Sequence, residues 1–169
     1  MRIVDVSFYY DDDIASEEAL LQQHYTTVGW AEALQRKAVE IIVVKRYKRD
    51  HAFIKNGVQY YFIKDRFSGN LKYWQIPFSF LKRIAALNAD IVHVHSFPSF
   101  LPVFLLRYML PAQTAIVVQN HGGKVAEGIK VKLYKWMSHV ADAFFFTDAE
   151  QGKHWFNSKS KLRKVMPVM

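Results

Sequence analysis

Glu40-Ile41-Ile42-Val43-Val44 is the stretch on which the fold turns. Four branched aliphatics in a row, with no polar residue between them, read as a strand covered on both faces. Upstream, Tyr25 to Ala38 has helical spacing: Val28, Ala31, Leu34 and Ala38 share a face, and Thr26 or Thr27 can cap it. Further upstream, Arg2-Ile3-Val4-Asp5-Val6-Ser7 alternates and is β-branched, as a strand should be. Strand, helix and buried strand in this order make a βαβ unit, which is wired right-handed with its strands parallel. Between the first strand and the helix, Tyr10 to Gln23 is polar and acidic with no clear cap or period, and is expected to be a long loop.

The pattern continues downstream. Asn56-Gly57 separates Ala52-Phe53-Ile54 from Val58 to Ile63, and Asn-Gly favours the positive φ angles of a type I′ hairpin. Phe80, Leu81, Ile84 and Leu87 mark an amphipathic helix that starts near Pro77 and stops before Asn88. Strands are expected at Ile91 to His95, Thr114 to Gln119 and Ala143 to Thr147, with helical stretches between them. One such stretch carries the stripe Ile129, Leu133, Trp136, Met137 and Val140; a short helix, Ala149 to Phe156, follows, and Lys164 to Val168 fits a last strand. Strands alternating with helices and rich in Val and Ile give an α/β fold, a doubly wound, mostly parallel, Rossmann-like sheet. The 169 residues are read as one domain.

Composition narrows the chemistry. Half the residues are hydrophobic (51%) and 22% are charged, which is globular and not disordered. With no cysteine, disulfide scaffolds, thiolate metal sites and cysteine nucleophiles are excluded. A reducing, cytoplasmic setting fits that composition. The opening residues lack the apolar run of a signal peptide. The most hydrophobic stretch, Phe97 to Leu110, holds two prolines and Arg107, and is shorter than the roughly 20 residues a membrane span needs. The net charge of +8 falls in patches, among them Lys45, Arg46, Lys48 and Arg49. Each patch singly reads as a solvated face; together, beside Phe97, Phe100, Phe104 and Leu105, they raise a peripheral contact with anionic membrane, against which Phe100 to Leu110 reads as a core helix.

In a doubly wound sheet, ligands bind outside the carboxyl ends of the strands. The residues there are Phe8 to Tyr10, His95 and Ser96, Asn120 to Gly123, and Thr147 and Asp148. Asn120-His121-Gly122-Gly123 has glycines that admit a ligand close to the backbone and a histidine that can donate or accept a proton near neutral pH. The same residues also fit a tight turn whose glycines serve geometry only. His93 and His95 point the same way, but a metal site needs a third ligand, and none stands nearby in sequence; His93 reads as a core histidine. Asp11-Asp12-Asp13 lacks the glycine and distal glutamate of a calcium loop and reads as a solvated acidic loop. Dinucleotide, P-loop and nucleophile-elbow motifs are all absent.

Several of these segments carry a family resemblance. Met1 to Tyr10, Asp90 to His95 (DIVHVH), Ala115 to Gly122, Ala141 to Gln151 (ADAFFFTDAEQ) and Arg163 to Pro167 resemble, in order and spacing, the N-terminal half of a GT-B glycosyltransferase of the retaining family 4. The resemblance implies two Rossmann-like domains facing a cleft. The N-terminal one shapes the acceptor side, and the C-terminal one grips the donor through a spaced pair of glutamates. This chain has no such pair in a matching context, so residues 1–169 are expected to be the acceptor-side domain of a longer or split enzyme, with the donor-binding domain absent and the fragment inactive alone. The activity implied is transfer of a sugar from a nucleotide diphosphate to a glycan, lipid-linked or small-molecule acceptor, with retention and without a metal or other cofactor.

Carried over by position, His121 is the histidine facing the reacting sugar and is the expected catalytic residue, in a positioning or polarising role. His95, Ser96, Asn120, Gly122, Gly123 and Thr147 are expected to bind substrate. One departure stands out: many members have a Gly-Gly pair after the first strand, where this chain has the acidic Asp12 to Glu18. That charge would oppose a phosphate. The partners expected are the nucleotide sugar, the acceptor and the chain's own C-terminal domain, with no nucleic acid; the location expected is cytoplasmic, at most peripheral at the inner membrane face. The alternative from another class is a stand-alone α/β binding module for a small anion.

Overall fold

The computed structural model describes residues 1–11, 14, 16–72, 74–95, 100–122, 132, 139–147 and 165–167. In chain order they form β1 (Arg2–Ser7), α1 (Glu17–Gln23), α2 (Tyr25–Gln35), β2 (Glu40–Arg46), β3 (His51–Lys55), β4 (Val58–Ile63), α3 (Phe78–Ala85), β5 (Ile91–His95), α4 (Phe100–Met109), β6 (Ala115–Asn120), β7 (Ala143–Phe146) and β8 (Val165–Pro167). The strands make one eight-stranded sheet in the order β3-β4-β2-β1-β5-β6-β7-β8. All neighbours pair in parallel except β3 with β4. The α/β, doubly wound, mostly parallel sheet expected from sequence is therefore the fold.

Strand alternation divides the core between the two faces. Val4, Val6, Ile42, Val44, Val92, Val94, Ile116 and Val118 pack with Phe80, Leu81 and Ile84 of α3 and Val103 and Leu106 of α4. On the other face, Ile3, Ile41 and Val43 meet Leu20 and Leu21 of α1 and Ala31 of α2. Each large aliphatic side chain removed from water in this way stabilises the fold by about 1.5–3 kcal/mol. Phe104 and Leu105 also pack partly against the first cluster, so α4 is a core helix. No helix among the described residues is long and apolar enough to cross a membrane.

The hairpin turns as expected: Lys55 pairs with Val58, and Asn56 (φ 50°) and Gly57 (φ 80°) take the left-handed angles of a type I′ turn. Three other expectations are corrected. The acidic stretch after β1 is not all loop, because Ser16 caps α1 by accepting from the Ala19 amide at 3.2 Å, and Glu17 and Glu18 complement the positive helix end. α2 is capped by neither Thr26 nor Thr27; His24 stands at its N-cap without a side-chain bond. It ends at Gln35, and Ala38 lies beyond it at φ 59°. Most of the stripe from Ile129 to Val140, and the helix expected at Ala149 to Phe156, lie outside the described residues; Val140 itself is buried.

The basic patch Lys45 to Arg49 is a solvated face only in part: Lys48 and Arg49 are exposed. Lys45 and Arg46 are buried, and Arg46 pairs with buried Asp65. Arg46 further donates to the carbonyls of Phe8 (3.1 Å), Gly69 (3.1 Å) and Phe67 (2.7 Å), which fastens the segment after β4 against the end of β1. Lys48 donates to the Ile14 carbonyl at 2.7 Å, and Arg49 forms a fork with Glu17 at 2.7 and 2.8 Å. Buried charges demand partners, and here the partners come from segments far apart in sequence.

Candidate active site

From β1 the chain moves outward to β2, β4 and β3, then returns to β5 on the opposite side of β1. The carboxyl ends of β1 and β5 thus form the topological switch point, where such sheets leave a crevice. A cavity of about 520 Å³ opens there, within the size range of small-ligand sites. It is lined by Ser7 and Asp5 of β1, Lys45 of β2, His95 of β5 and His121 and Gly122 beyond β6, and roofed by Leu20, Leu21, His24 and the first turn of α2.

Asp5 organises one end of this cavity. It is buried at 1% exposure in the middle of β1, in register with His93, and two residue pairs before Ser7 and His95. Its Oδ1 lies 2.9 Å from His93 Nδ1 and 2.6 Å from His95 Nε2. His95 Nδ1 in turn lies 2.7 Å from His121 Nε2, and the two rings are nearly parallel. Burial pushes the Asp5 carboxyl up, but the charge of His95 and the hydrogen bonds from both histidines outweigh it, and its pKa falls to about 2.

An ionised carboxylate only accepts, which places a proton on His95 Nε2. When the His95 ring is neutral, its Nδ1 accepts from His121 Nε2–H. His121 Nδ1 is then the nitrogen with a lone pair and no internal partner among the described residues. Desolvation, followed by the charges of His95 and His93, lowers the His121 pKa from 6.5 against a smaller pull from Asp5. His121 is therefore neutral at pH 7 and can accept a hydrogen bond or proton from a ligand hydroxyl. By the same logic His93 donates from Nδ1 to Asp5, and its buried Nε2 is left without a partner among the described residues, while Trp30 covers the ring at 5.1 Å.

The sequence reading found no third ligand for His93 and His95, and the structure corrects that: Asp5 brings an oxygen to within 4.8 Å of both ring nitrogens. Two histidines and one carboxylate are a donor set that divalent transition metals accept. In this geometry the three are already joined directly by hydrogen bonds. Asp5 is the functional candidate that sequence reasoning missed, whereas His93, read as a core histidine, is buried at 4% exposure. The available signal was an acidic residue at the centre of an otherwise apolar β1.

The remaining expected residues divide as follows. Asn120 is buried, and its Oδ1 accepts from the Gly122 amide at 3.0 Å, so its side chain holds the turn. Gly122 has φ +94°, and a Cβ there would stand 3.8 Å from Thr147 Oγ1, which puts Thr147 beside the turn. The turn and ligand-facing readings of this loop thus coexist: the turn is real and presents His121 to the cavity. Ser96 and Gly123 lie outside the described residues. Of the acidic triplet, Asp12 and Asp13 lie outside them as well. Asp11 is not solvated; it is 8% exposed and pairs with Lys45 at 2.5 Å and His24 at 2.9 Å.

Comparison with solved structures finds this architecture in several synthases. A sucrose-phosphate synthase chain from Thermosynechococcus elongatus matches with a TM-score of 0.59 and 10% identity, over 100% of this chain and 90% of that one. The catalytic domain of starch synthase IV from Arabidopsis thaliana, bound to ADP and acarbose, matches at 0.56 and 12% identity, over 99% and 51%. A trehalose 6-phosphate synthase from Burkholderia multivorans matches at 0.53 and 13% identity, over 91% and 41%. The chain thus spans about half of the starch synthase domain and less of the trehalose enzyme. At these identities the likeness shows the fold. No curated protein sequence matches. The family model described as Glycosyltransferase Family 4 matches residues 24–156, well over half of the sequence, and the chain belongs to that family.

Proposed function

We propose that this chain is the N-terminal, acceptor-side domain of a glycosyltransferase that moves a sugar from a nucleotide-diphosphate donor to an acceptor hydroxyl with retention of configuration. The observation that carries the reading is the proton-ordered row Asp5–His95–His121 at the switch point of the sheet, ending on a neutral imidazole at the cavity. A group poised in that way can hold an acceptor hydroxyl by its proton and raise its nucleophilicity as the donor bond opens. The ADP held by the starch synthase neighbour supports a nucleotide-diphosphate leaving group.

Donor binding and most of the groups that stabilise the departing diphosphate belong, in this proposal, to a second domain, so residues 1–169 alone are inactive. The reaction needs no metal, since Asp5 is engaged by two N–H donors and the charge that develops on the leaving group falls to side chains and helix ends. The test is incubation of the intact protein with a panel of nucleotide sugars and candidate acceptors, with the anomeric proton of the product read by NMR. Transfer with the donor's anomeric configuration, undiminished by a chelator, is expected. An inverted product, or transfer abolished by chelation and restored by a divalent metal, refutes the mechanism.

A further inference from the structure

The cavity has a second pole, about which the transfer chemistry says nothing. Lys45 of β2 is in register with Ser7 of β1, and Ser7 with His95 of β5. Lys45 and His95 are therefore two strand spacings apart, about 10 Å, on the same face of the sheet. Both line the cavity. Between them run apolar walls from Leu20, Leu21, Val28 and Val43.

The Lys45 side chain is 6% exposed and donates to Asp11 Oδ2 at 2.5 Å. His24 Nε2 stands 2.5 Å from the ammonium and donates to the same Asp11 oxygen at 2.9 Å. An ammonium has three N–H groups, so at least one remains for a further partner. Asp11 is not among the cavity's lining residues, whereas Lys45 and His24 are. The carboxylate thus stands behind the ammonium and the cavity meets the donors. Burial lowers the Lys45 pKa against the pull of Asp11, which is the condition of a cation short of solvation.

The start of α2 adds to this. Thr26, Thr27 and Val28 line the cavity, no side chain caps the helix, and its first internal bond runs from the Val28 amide to the His24 carbonyl at 3.1 Å. The amides of Tyr25, Thr26 and Thr27 are those a helix start leaves open, at the positive end of its dipole. A lysine needed only to anchor Asp11 would not require a roomy, apolar-walled cavity in front of it. We infer that this pole receives an anionic group, phosphate or carboxylate, carried by the acceptor at the end of the cavity opposite the His95–His121 pair. The word acceptor rests on the transfer reading above; the anion pole does not.

The experiment is calorimetric titration of the intact protein with glucose 6-phosphate, glucuronate and glucose. At least one anionic compound is expected to bind tenfold or more tightly than glucose, and the phosphate and carboxylate arms identify which anion the pole takes. The double variant D11N/K45M removes both charges together, so that no buried carboxylate is left unpaired. It should bring the anion's affinity down to that of glucose and leave glucose unchanged. Should the double variant fail to fold, His24→Gln, at a partly exposed side chain, should still weaken the anion several-fold. Equal binding of all three compounds, or unchanged anion affinity in the folded variants, overturns the inference. Transfer to neutral acceptors without anion preference refutes the pole and leaves the transferase reading intact, whereas anion binding without transfer does the reverse.

Discussion

Asp5→Asn is the sharpest perturbation of the site, because asparagine keeps the shape of the side chain and removes its charge. The carboxylate holds two histidine N–H donors in a fully buried position, and its pKa of about 2 compares with an ordinary value of 3.8. At about 1.36 kcal/mol per pKa unit, that gap corresponds to about 2 kcal/mol of native-state stability at neutral pH. The sign follows from linkage: a carboxyl depressed in the folded state contributes stability above pH 3.8, and loses it as pH falls through about 2. For a chain of this length, each kcal/mol moves the melting temperature by about 2–4 °C, so the variant should melt about 4–8 °C lower at pH 7.

Thermal unfolding followed by circular dichroism from pH 7 to pH 2 measures this directly. The gap between wild type and Asp5→Asn should persist down to about pH 4 and close toward pH 2. Both histidines bond the same oxygen, Oδ1, so an amide oxygen in its place can still accept from both, but without the charge that holds their N–H groups toward it. Transfer by the intact enzyme should then fall about 100-fold, the lower end of what a positioned acid–base group contributes. Equal melting temperatures at pH 7, or a gap that does not change between pH 4 and pH 2, would refute the reasoning.

Three further outcomes are expected. Because the His121 pKa lies below 6.5, the acid limb of the pH profile of kcat/KM should fall below that value, and a limb at or above it contradicts the neutral imidazole. Arg46→Met strands buried Asp65 and releases the carbonyls of Phe8, Phe67 and Gly69, so a loss of about 3–5 kcal/mol is expected by chemical denaturation. Gly57→Ala meets Gln35 Cγ at 3.0 Å and forces a φ of +80° on a residue with a Cβ, so the hairpin should lose about 1 kcal/mol or more, read by the same assay.

The sheet was legible because parallel strands covered on both faces need uninterrupted aliphatic runs, and Ile41 to Val44 and Ile91 to Val94 supply them almost without exception. α1 was not, because only Leu20 and Leu21 are buried in it, and its cap is a single Ser16 within an acidic stretch. His95 and His121 were visible from strand ends, yet what joins them was not. Asp5 stands about 90 residues from His93 and His95, and only the β1–β5 pairing brings them together. Lys45, Arg46 and Asp11 mislead for the same reason. A charged residue beside a buried run looks solvated until its counter-charge is located, and Asp11 and Asp65 come from other segments.

The central claim is that His121 at the carboxyl end of β6 serves sugar transfer. The direct measurement is the rate of sugar transfer by the intact enzyme carrying His121→Ala, beside its melting temperature. The side chain is exposed at the cavity mouth, so the fold should survive with a melting temperature close to that of wild type. Turnover should drop by about 100-fold or more. A folded His121→Ala enzyme that transfers sugar at the wild-type rate would contradict the account.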